Sequence, residues 1–314
     1  MIRPPDTRGG RKVPHRDSLG RMPRSAGVKP RPRHELVMRL VHPLVGPGVA
    51  VLRRLGARPE QVVLAHGAVG LVAAALVATP RHGAWLAAAA LLQLKTVLDN
   101  LDGSLARATG RVSELGRYLD TGVDLVVNVA LFAALAAHGP WPVAALAFAV
   151  LTVLLSYDFN VERLHREAHG EGASAPGSSP AASPERATDA SPAPAWERAA
   201  LDLSKGLYRA VLAPQDAAIR ALERRLLARA TGRPAEAATP DAVRAWWGVG
   251  ATAALVNLGL STQYVVLGVC LALGAPFAYA WVVLAQGAYL IAVIAYRYVT
   301  FRRRARPAAG AEGA

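Results

Sequence analysis

The sequence predicts an all-α membrane protein with six transmembrane helices, an N-terminal interfacial amphipathic helix and a cytoplasmic insertion between spans four and five. Hydrophobic residues make up 53% of the 314 residues, and only 18% are Asp, Glu, Lys or Arg, against about 25% in soluble domains. The mean hydropathy is +0.24. The apolar residues are concentrated in runs close to the roughly 20 residues that a helix needs to cross a bilayer.

The net charge of +14 indicates an anionic partner, either nucleic acid or a membrane surface. The apolar runs favour the membrane, so we expect membrane lipids and no nucleic acid as partners. Cys270 is the only cysteine, which excludes an internal disulfide framework.

The N-terminal region divides into two parts. Residues 1–32 are rich in Arg, Lys, Pro and Gly and have too little apolar surface to offset the entropy of ordering, so we predict a disordered basic tail without a signal peptide. Residues 33–56 place apolar side chains at helical spacing, interrupted by Gly46-Pro47-Gly48. This pattern predicts an interfacial amphipathic helix, and an ordinary packing helix fits it equally well.

The predicted spans form two groups. Residues 57–158 hold spans one to four, and residues 246–300 hold spans five and six. The six apolar runs cover about 60–79, 84–106, 119–138, 141–157, 246–272 and 275–297. Four tryptophans lie near predicted ends, as interfacial aromatic residues do; they are Trp141, Trp246, Trp247 and Trp281.

The distribution of basic residues predicts the topology. Six spans place both termini on the same side, and the long Arg-rich segments, including the basic tail 301–314, fall on that side. The positive-inside rule makes this side cytoplasmic. We therefore expect a multi-pass protein of the cell (inner) membrane, with both termini and the active site cytoplasmic.

Residues 159–245 form the predicted cytoplasmic insertion. Residues 171–194 are rich in Ala, Ser, Pro and Gly, which indicates a disordered linker. Residues 196–213 and 215–230 have the pattern of two amphipathic helices, the second with Ile219, Leu222, Leu226 and Leu227 along one stripe. Contact with the membrane surface and packing on other cytoplasmic helices both remain open for this stripe.

Two pairs of aspartates are the candidate functional residues. Asp99 and Asp102 are three residues apart, and Asp120 and Asp124 are four apart, so on helices each pair shares one face. The short link predicts that the two helices are antiparallel neighbours whose four carboxylates converge near the cytoplasmic surface. Clustered carboxylate oxygens suit Mg²⁺, Mn²⁺ or Ca²⁺. Lys95, one turn before Asp99, is expected to pair with it or to extend to the interface.

Residues 99–124 read D-x2-D-G-x2-A-R-x8-G-x3-D-x3-D, which resembles the signature of the CDP-alcohol phosphotransferase family of integral membrane enzymes. The resemblance implies that Asp99, Asp102 and Asp120 bind metal. It implies that Asp124 is the general base and also contacts a metal. Four further positions match those around the CDP moiety and its diphosphate: Gly103, Ala106, Arg107 and Gly116.

The resemblance also implies a reaction. A phosphatidyl group would move from a CDP-alcohol, CDP-diacylglycerol foremost, to a small polar alcohol such as inositol phosphate or glycerol phosphate, releasing CMP for phospholipid biosynthesis. Mg²⁺ is the expected cofactor, with Mn²⁺ as the alternative, and a homodimer is the expected assembly. The residues after Asp120 do not resemble the version typical of the glycerophosphate enzymes, which favours an inositol-phosphate-type acceptor.

Two other functions compete with this prediction. An aspartate-rich membrane prenyltransferase also uses Mg²⁺ on a diphosphate, but it would need a further acidic residue spaced after Asp102, where Gly103 and Ala106 stand. A non-enzymatic divalent-cation transporter would need acidic residues along a path across the bilayer, whereas here they cluster at one side.

Overall fold

The computed structural model describes residues 36–169 and 194–305, and these ranges are helical apart from short turns. The helices are α1 (Leu36–Arg54), α2 (Pro59–Ala78), α3 (His82–Thr109), α4 (Glu114–Leu135), α5 (Trp141–Ala168), α6 (Ala195–Leu207), α7 (Ala213–Thr231), α8 (Pro240–Trp246), α9 (Val249–Val256), α10 (Leu260–Ala272) and α11 (Ala278–Ala305). The predicted tail 1–32, residues 171–193 of the predicted linker and residues 306–314 of the predicted C-terminal tail lie outside the described residues.

Four helices of the described chain are long and apolar enough to cross a membrane: Pro59–Ala78, Glu114–His138, Trp141–Ala168 and Ala278–Arg304. These correspond to predicted spans one, three, four and six. The helix at the second predicted span, α3, is 28 residues long but carries charged side chains, including Lys95 and Asp99, along its length. Those charges make its site-facing surface polar.

The fifth predicted span differs from the sequence prediction of a continuous helix over 246–272. The chain there forms α9 and α10, which are separated at residues 257–259. Gly259 begins α10 as its N-cap residue, and a Cβ on it would lie 2.7 Å from Oδ2 of Asp158. Glycine at this position leaves room for the carboxylate. It thereby allows α5 to pack against the break between α9 and α10.

Helix α1 runs through Pro43 and Pro47 without a break, although the Gly46-Pro47-Gly48 sequence predicts an interruption. Packing supports it, since Val41, Val45 and Val49 are buried against α3. Its opposite side exposes large apolar residues, among them Leu40 at 79%. One face of α1 thus packs on protein, and an apolar face remains outside.

The arrangement around α2 positions the site. Helix α2 packs against both α3 and α4, whereas the backbones of α3 and α4 do not approach each other closely. The two acidic helices nevertheless meet through their side chains, since Lys95 Nζ lies 2.5 Å from Asp124 Oδ1. Gly67 and Gly70 allow α2 to pack on α4, because a Cβ on Gly67 would lie 2.5 Å from Val123 of α4 and one on Gly70 would lie 2.7 Å from Val127.

The insertion is built into the core. Ile219 and Leu227 of α7 belong to the same buried cluster as residues of α2 to α5, whereas Leu222 of the predicted stripe is 42% exposed. Asp216 is buried on the same side of α7 and accepts hydrogen bonds from Asn160 and Tyr208. Burial and the Asp216 carboxylate raise the pKa of Tyr208 to about 12. Packing on the helical core is therefore the reading that the structure supports for this stripe.

Glu223 of α7 is the centre of a buried polar network. Its carboxylate accepts hydrogen bonds from Tyr157 of α5, from Arg297 of α11 and from Trp246 Nε1, the last at 3.0 Å. The Arg297 guanidinium lies over the rings of Trp246 and Trp247, 4.5 and 4.7 Å from their centroids. Both tryptophans are buried, so their interpretation as interfacial residues is wrong; Trp141 and Trp281 are exposed.

Candidate active site

The site lies where the first turns of α2, the last turns of α3 and the first turns of α4 meet. Gly110, with φ +68°, ends α3 as its C-cap residue. Ser113 then caps α4 by accepting a hydrogen bond from the Gly116 amide at 3.0 Å. These two caps place the acidic ends of α3 and α4 at one end of the bundle.

Three of the four predicted aspartates converge with a residue that the sequence analysis did not single out. His66 of α2 and Asp99, Asp102 and Asp120 each offer one ligand atom, and these atoms all lie within 4.8 Å of one another. His66 Nε2 is 3.3 Å from an oxygen of Asp102, 3.4 Å from one of Asp120 and 3.8 Å from one of Asp99. We refer to these four side chains as the His–Asp cluster.

Several polar atoms of the His–Asp cluster make no hydrogen bond. They are both ring nitrogens of His66 and one oxygen each of Asp99, Asp102 and Asp120. Three buried carboxylate oxygens without a hydrogen-bond donor repel one another and lose hydration, so a cation is a partner that this donor set fits. The second oxygen of Asp102 accepts a hydrogen bond from the backbone amide of Gly103, which fixes that carboxylate.

Asp124, the fourth predicted aspartate, lies beside the His–Asp cluster rather than in it. Its Oδ1 accepts a hydrogen bond from Lys95 Nζ at 2.5 Å. Lys95 Nζ is also 3.8 Å from Asp99 and lies over the Tyr264 ring, 5.1 Å from its centroid. The Lys95 side chain is fully buried, so it does not extend to the interface, and it links the two acidic helices.

The predicted phosphate-binding positions line the end of α3 and the turn that follows. Arg107 Nη2 donates to Ser104 Oγ at 3.1 Å, and a Cβ on Gly103 would lie 3.3 Å from Arg107 Nη1. Gly103 therefore gives the guanidinium room to lie along α3. Ala106 and Gly116 are half-buried, and neither lies in the His–Asp cluster. An open cavity of about 460 Å³ adjoins this end, lined by Arg58, Glu60, Arg111, Val112 and Ser113.

His66 was missed because its helix gives no local signal of function. The run from 59 to 78 is apolar on all sides, so its periodicity does not show which face meets α3 and α4. An ionisable residue within an apolar span is a functional candidate by itself, and this is the signal that could have found it. Asn128, a polar residue within the third predicted span, accepts an interhelical hydrogen bond from Tyr264 at 3.4 Å.

The described residues define a class: an all-helical, multi-pass membrane protein with one histidine and three aspartates, able to hold a cation, clustered at one end of its bundle. Residues 58–181 match the family model for CDP-alcohol phosphatidyltransferase. This segment of the chain is therefore similar to that family.

Curated relatives each resemble part of the chain. It is 38% identical over 86 residues to a phosphatidylinositol phosphate synthase of Streptomyces avermitilis, covering 27% of this chain and 34% of the relative. It is 36% identical over 84 residues to an archaetidylinositol phosphate synthase of Pyrococcus horikoshii, covering 26% and 42%.

A third relative, a phosphatidylinositol phosphate synthase of Cutibacterium acnes, is 32% identical over 125 residues, which cover 36% of this chain and 58% of that protein. The chain thus spans less than two thirds of the length of each of these three relatives. No solved structure matches the chain.

Proposed function

We propose that the protein transfers a phosphatidyl-type group from a CDP-alcohol, CDP-diacylglycerol foremost, to a small polar alcohol and releases CMP. The observation that carries the proposal is the convergence of Asp99, Asp102 and Asp120, whose unpartnered oxygens come from two helices, with Asp124 beside them. These four residues are the aspartates of the family signature that the sequence contains.

The acceptor we favour is an inositol phosphate. Two observations support this choice. Relatives that bear the names phosphatidylinositol phosphate synthase and archaetidylinositol phosphate synthase match the chain. The residues after Asp120 also differ from the glycerophosphate version of the signature. Glycerol phosphate remains the second acceptor to test.

A divalent cation, Mg²⁺ or Mn²⁺, fits the His–Asp cluster because its unpaired carboxylate oxygens are the ligands that such cations prefer. When bound, it would neutralise charge on the donor diphosphate. The residues proposed to hold it are Asp99, Asp102 and Asp120. Asp124 is a metal ligand by the resemblance alone, and Lys95 already occupies one of its oxygens.

The protein's own residues would have distinct parts in the transfer. The acceptor hydroxyl oxygen forms a bond to the phosphorus that bears the lipid, and the bond from this phosphorus to the CMP oxygen breaks. Asp124 takes the hydroxyl proton, and Lys95 holds its carboxylate in place. Gly103, Ala106 and Gly116 leave room for the nucleotide, and Arg107 supplies a forked donor for a phosphate.

We propose that the site faces the cytoplasm at the cell (inner) membrane, with both termini on that side, as the basic segments predict. A homodimer is a further proposal, which light scattering on the purified protein tests.

The direct experiment measures CMP release by the purified full-length protein in nanodiscs with CDP-diacylglycerol and Mg²⁺. Inositol phosphate, glycerol phosphate, inositol and serine are compared as acceptors. We expect release with inositol phosphate, loss in Asp124→Asn, and full activity in the control Asp241→Asn, whose side chain is 89% exposed. Failure to release CMP with any acceptor contradicts the proposal.

A further inference from the structure

The ring of His66 faces three carboxylates from a helix that is otherwise apolar. We propose that His66 Nε2 is a metal ligand together with Asp99, Asp102 and Asp120, and that this nitrogen gives the site a preference for Mn²⁺ over Mg²⁺. The inference deepens the proposed function and rests on it, because it concerns the cation of the same site.

The first argument is geometric. Nε2 lies between 3.3 and 3.8 Å from one oxygen of each of the three aspartates, yet it makes a hydrogen bond of acceptable geometry with none of them. A single N–H can point well at only one acceptor. A metal ion, in contrast, takes several oxygen ligands and one nitrogen at once. The equal approach of three carboxylates to one nitrogen is thus the pattern of a ligand set.

The second argument is burial. The His66 side chain has no exposed surface, and neither of its nitrogens has a hydrogen-bond partner. Burying a polar group without a hydrogen-bond partner destabilises the folded state. The next residue, Gly67, has no room for a Cβ beside Val123, so α2 and α4 pack closely at the level of the His66 ring. The unpartnered ring thus lies buried between helices, facing the carboxylates.

The third argument is the position of Asp124. Lys95 holds one of its oxygens at 2.5 Å, and Asp124 is not among the residues whose ligand atoms meet. The fourth protein ligand within reach is consequently the imidazole of His66. This assignment also leaves Asp124 free for the hydroxyl proton.

Ligand chemistry gives the expected selectivity. Carboxylates suit Mg²⁺, Ca²⁺ and Mn²⁺, whereas imidazole suits the transition metals. Mn²⁺ accepts both kinds of ligand, while Mg²⁺ binds nitrogen poorly and keeps its water. One nitrogen among three carboxylates therefore favours Mn²⁺.

The test detects directly whether a histidine nitrogen coordinates the bound ion. Mn²⁺ is added to the full-length protein, purified without a histidine tag, and ¹⁴N couplings to the bound ion are measured by pulsed electron paramagnetic resonance. The variants are His66→Gln and a matched control, His169→Gln, which replaces an exposed histidine at the end of α5. Isothermal titration gives the affinities of each protein for Mn²⁺ and Mg²⁺.

We expect a directly coordinated imidazole nitrogen in the wild type and in His169→Gln, and its loss in His66→Gln. Mn²⁺ affinity should fall at least about tenfold in His66→Gln, with a smaller change for Mg²⁺. Bound Mn²⁺ without ¹⁴N coupling in the wild type overturns the inference, because that spectrum does not depend on a variant folding. Equal affinities for both ions in the wild type overturn it as well.

The inference and the proposed function fail in different ways. A ¹⁴N signal without CMP release from any acceptor retains the ligand assignment and removes the proposed reaction. CMP release together with a spectrum that lacks nitrogen coupling retains the proposed reaction and removes the assignment of His66 as a ligand.

Discussion

Lys95 of α3 and Asp124 of α4 form a 2.5 Å ion pair across the gap between two helices that do not otherwise pack closely. Lys95 is fully buried and Asp124 is 20% exposed. The pair therefore fixes the separation of α3 and α4 at the depth where the acidic residues begin. It also gives Asp124 a close partner that Asp102 and Asp120 lack, while Asp99 lies farther from the same ammonium group, at 3.8 Å.

Replacing Lys95 with Met should keep the bulk of the side chain and remove its charge. Asp124 would lose its orienting donor, and misplacement of a reacting group by about 1 Å typically costs about 100-fold in rate. We expect CMP release to fall at least that much. The thermal unfolding midpoint in detergent should fall too, because breaking a buried ion pair costs about 3–5 kcal/mol.

The matched control is Lys205→Met. Lys205 Nζ pairs with Glu114 at 2.8 Å, but both side chains are partly exposed, at 24% and 36%. Exposed pairs contribute about 0–1 kcal/mol, so stability and CMP release should stay close to those of the wild type. Wild-type CMP release by Lys95→Met would show that Asp124 does not need this partner.

Close packing of α2 on α4 gives a second prediction. A Cβ on Gly67 would lie 2.5 Å from Val123 Cγ1, and Val is a stiff β-branched residue. Gly67→Ala should therefore separate α2 from α4, lower stability by about 1–3 kcal/mol and reduce CMP release by moving His66 away from the carboxylates.

The second prediction is tested by rescue. Val123→Ala removes the methyl groups that the new Cβ would contact, so the double variant Gly67→Ala/Val123→Ala should recover a higher unfolding midpoint than Gly67→Ala alone. Gly83→Ala is the control, since nothing lies within 4 Å of a Cβ there. An unchanged midpoint in Gly67→Ala, or no recovery in the double variant, contradicts the packing argument.

Much of the site could be predicted from the sequence because its signal is local. Spacings of three and four residues put each aspartate pair on one helix face, and Gly110 and Ser113 set the turn between them. His66 and Asp120 are 54 residues apart in sequence, and Lys95 and Asp124 are 29 apart, so no local pattern contains these two contacts. Only the approach of Lys95 to Asp99, one turn away, is local. The position of α2 against both acidic helices is likewise a tertiary property.

The tryptophans and the insertion show the same limit. Trp246 follows a polar segment and precedes an apolar one, which is the pattern of an interfacial residue, yet its indole donates to buried Glu223. The partner comes from α7, whose charged sequence predicts a surface helix. The composition of a helix indicates how polar it is. Whether its polar side chains are buried depends on the hydrogen-bond partners that other helices provide.

The segment that joins α5 to α6 provides a third prediction. The interhelical contacts described above for the insertion come from α6 and α7, and residues 171–193 have linker composition. Replacing residues 171–193 with a Gly/Ser linker of equal length should leave CMP release and the unfolding midpoint unchanged, because such linkers behave as flexible coils. A loss of activity, measured in the same nanodisc assay, would assign this segment a role beyond connection.

Glu223 provides the fourth prediction, which concerns the insertion as a part of the fold. Glu223→Gln keeps the shape of the side chain but removes the charge that Arg297 faces, and both residues are buried, at 4% exposure each. A buried charge without its partner costs about 3–5 kcal/mol, so the unfolding midpoint should fall markedly.

The control for this prediction, Glu236→Gln, changes an exposed glutamate and should shift stability by no more than about 0.5 kcal/mol.

The double variant Glu223→Gln/Arg297→Met removes both charges, and we expect it to be more stable than Glu223→Gln, since an apolar replacement of a buried pair avoids the unpaired charge. A single variant as stable as the wild type would mean that α7 rests on the bundle without the ion pair. Recovery in the double variant would instead tie the insertion to α5 and α11 through Glu223, so that its two helices hold the same bundle that positions the aspartates.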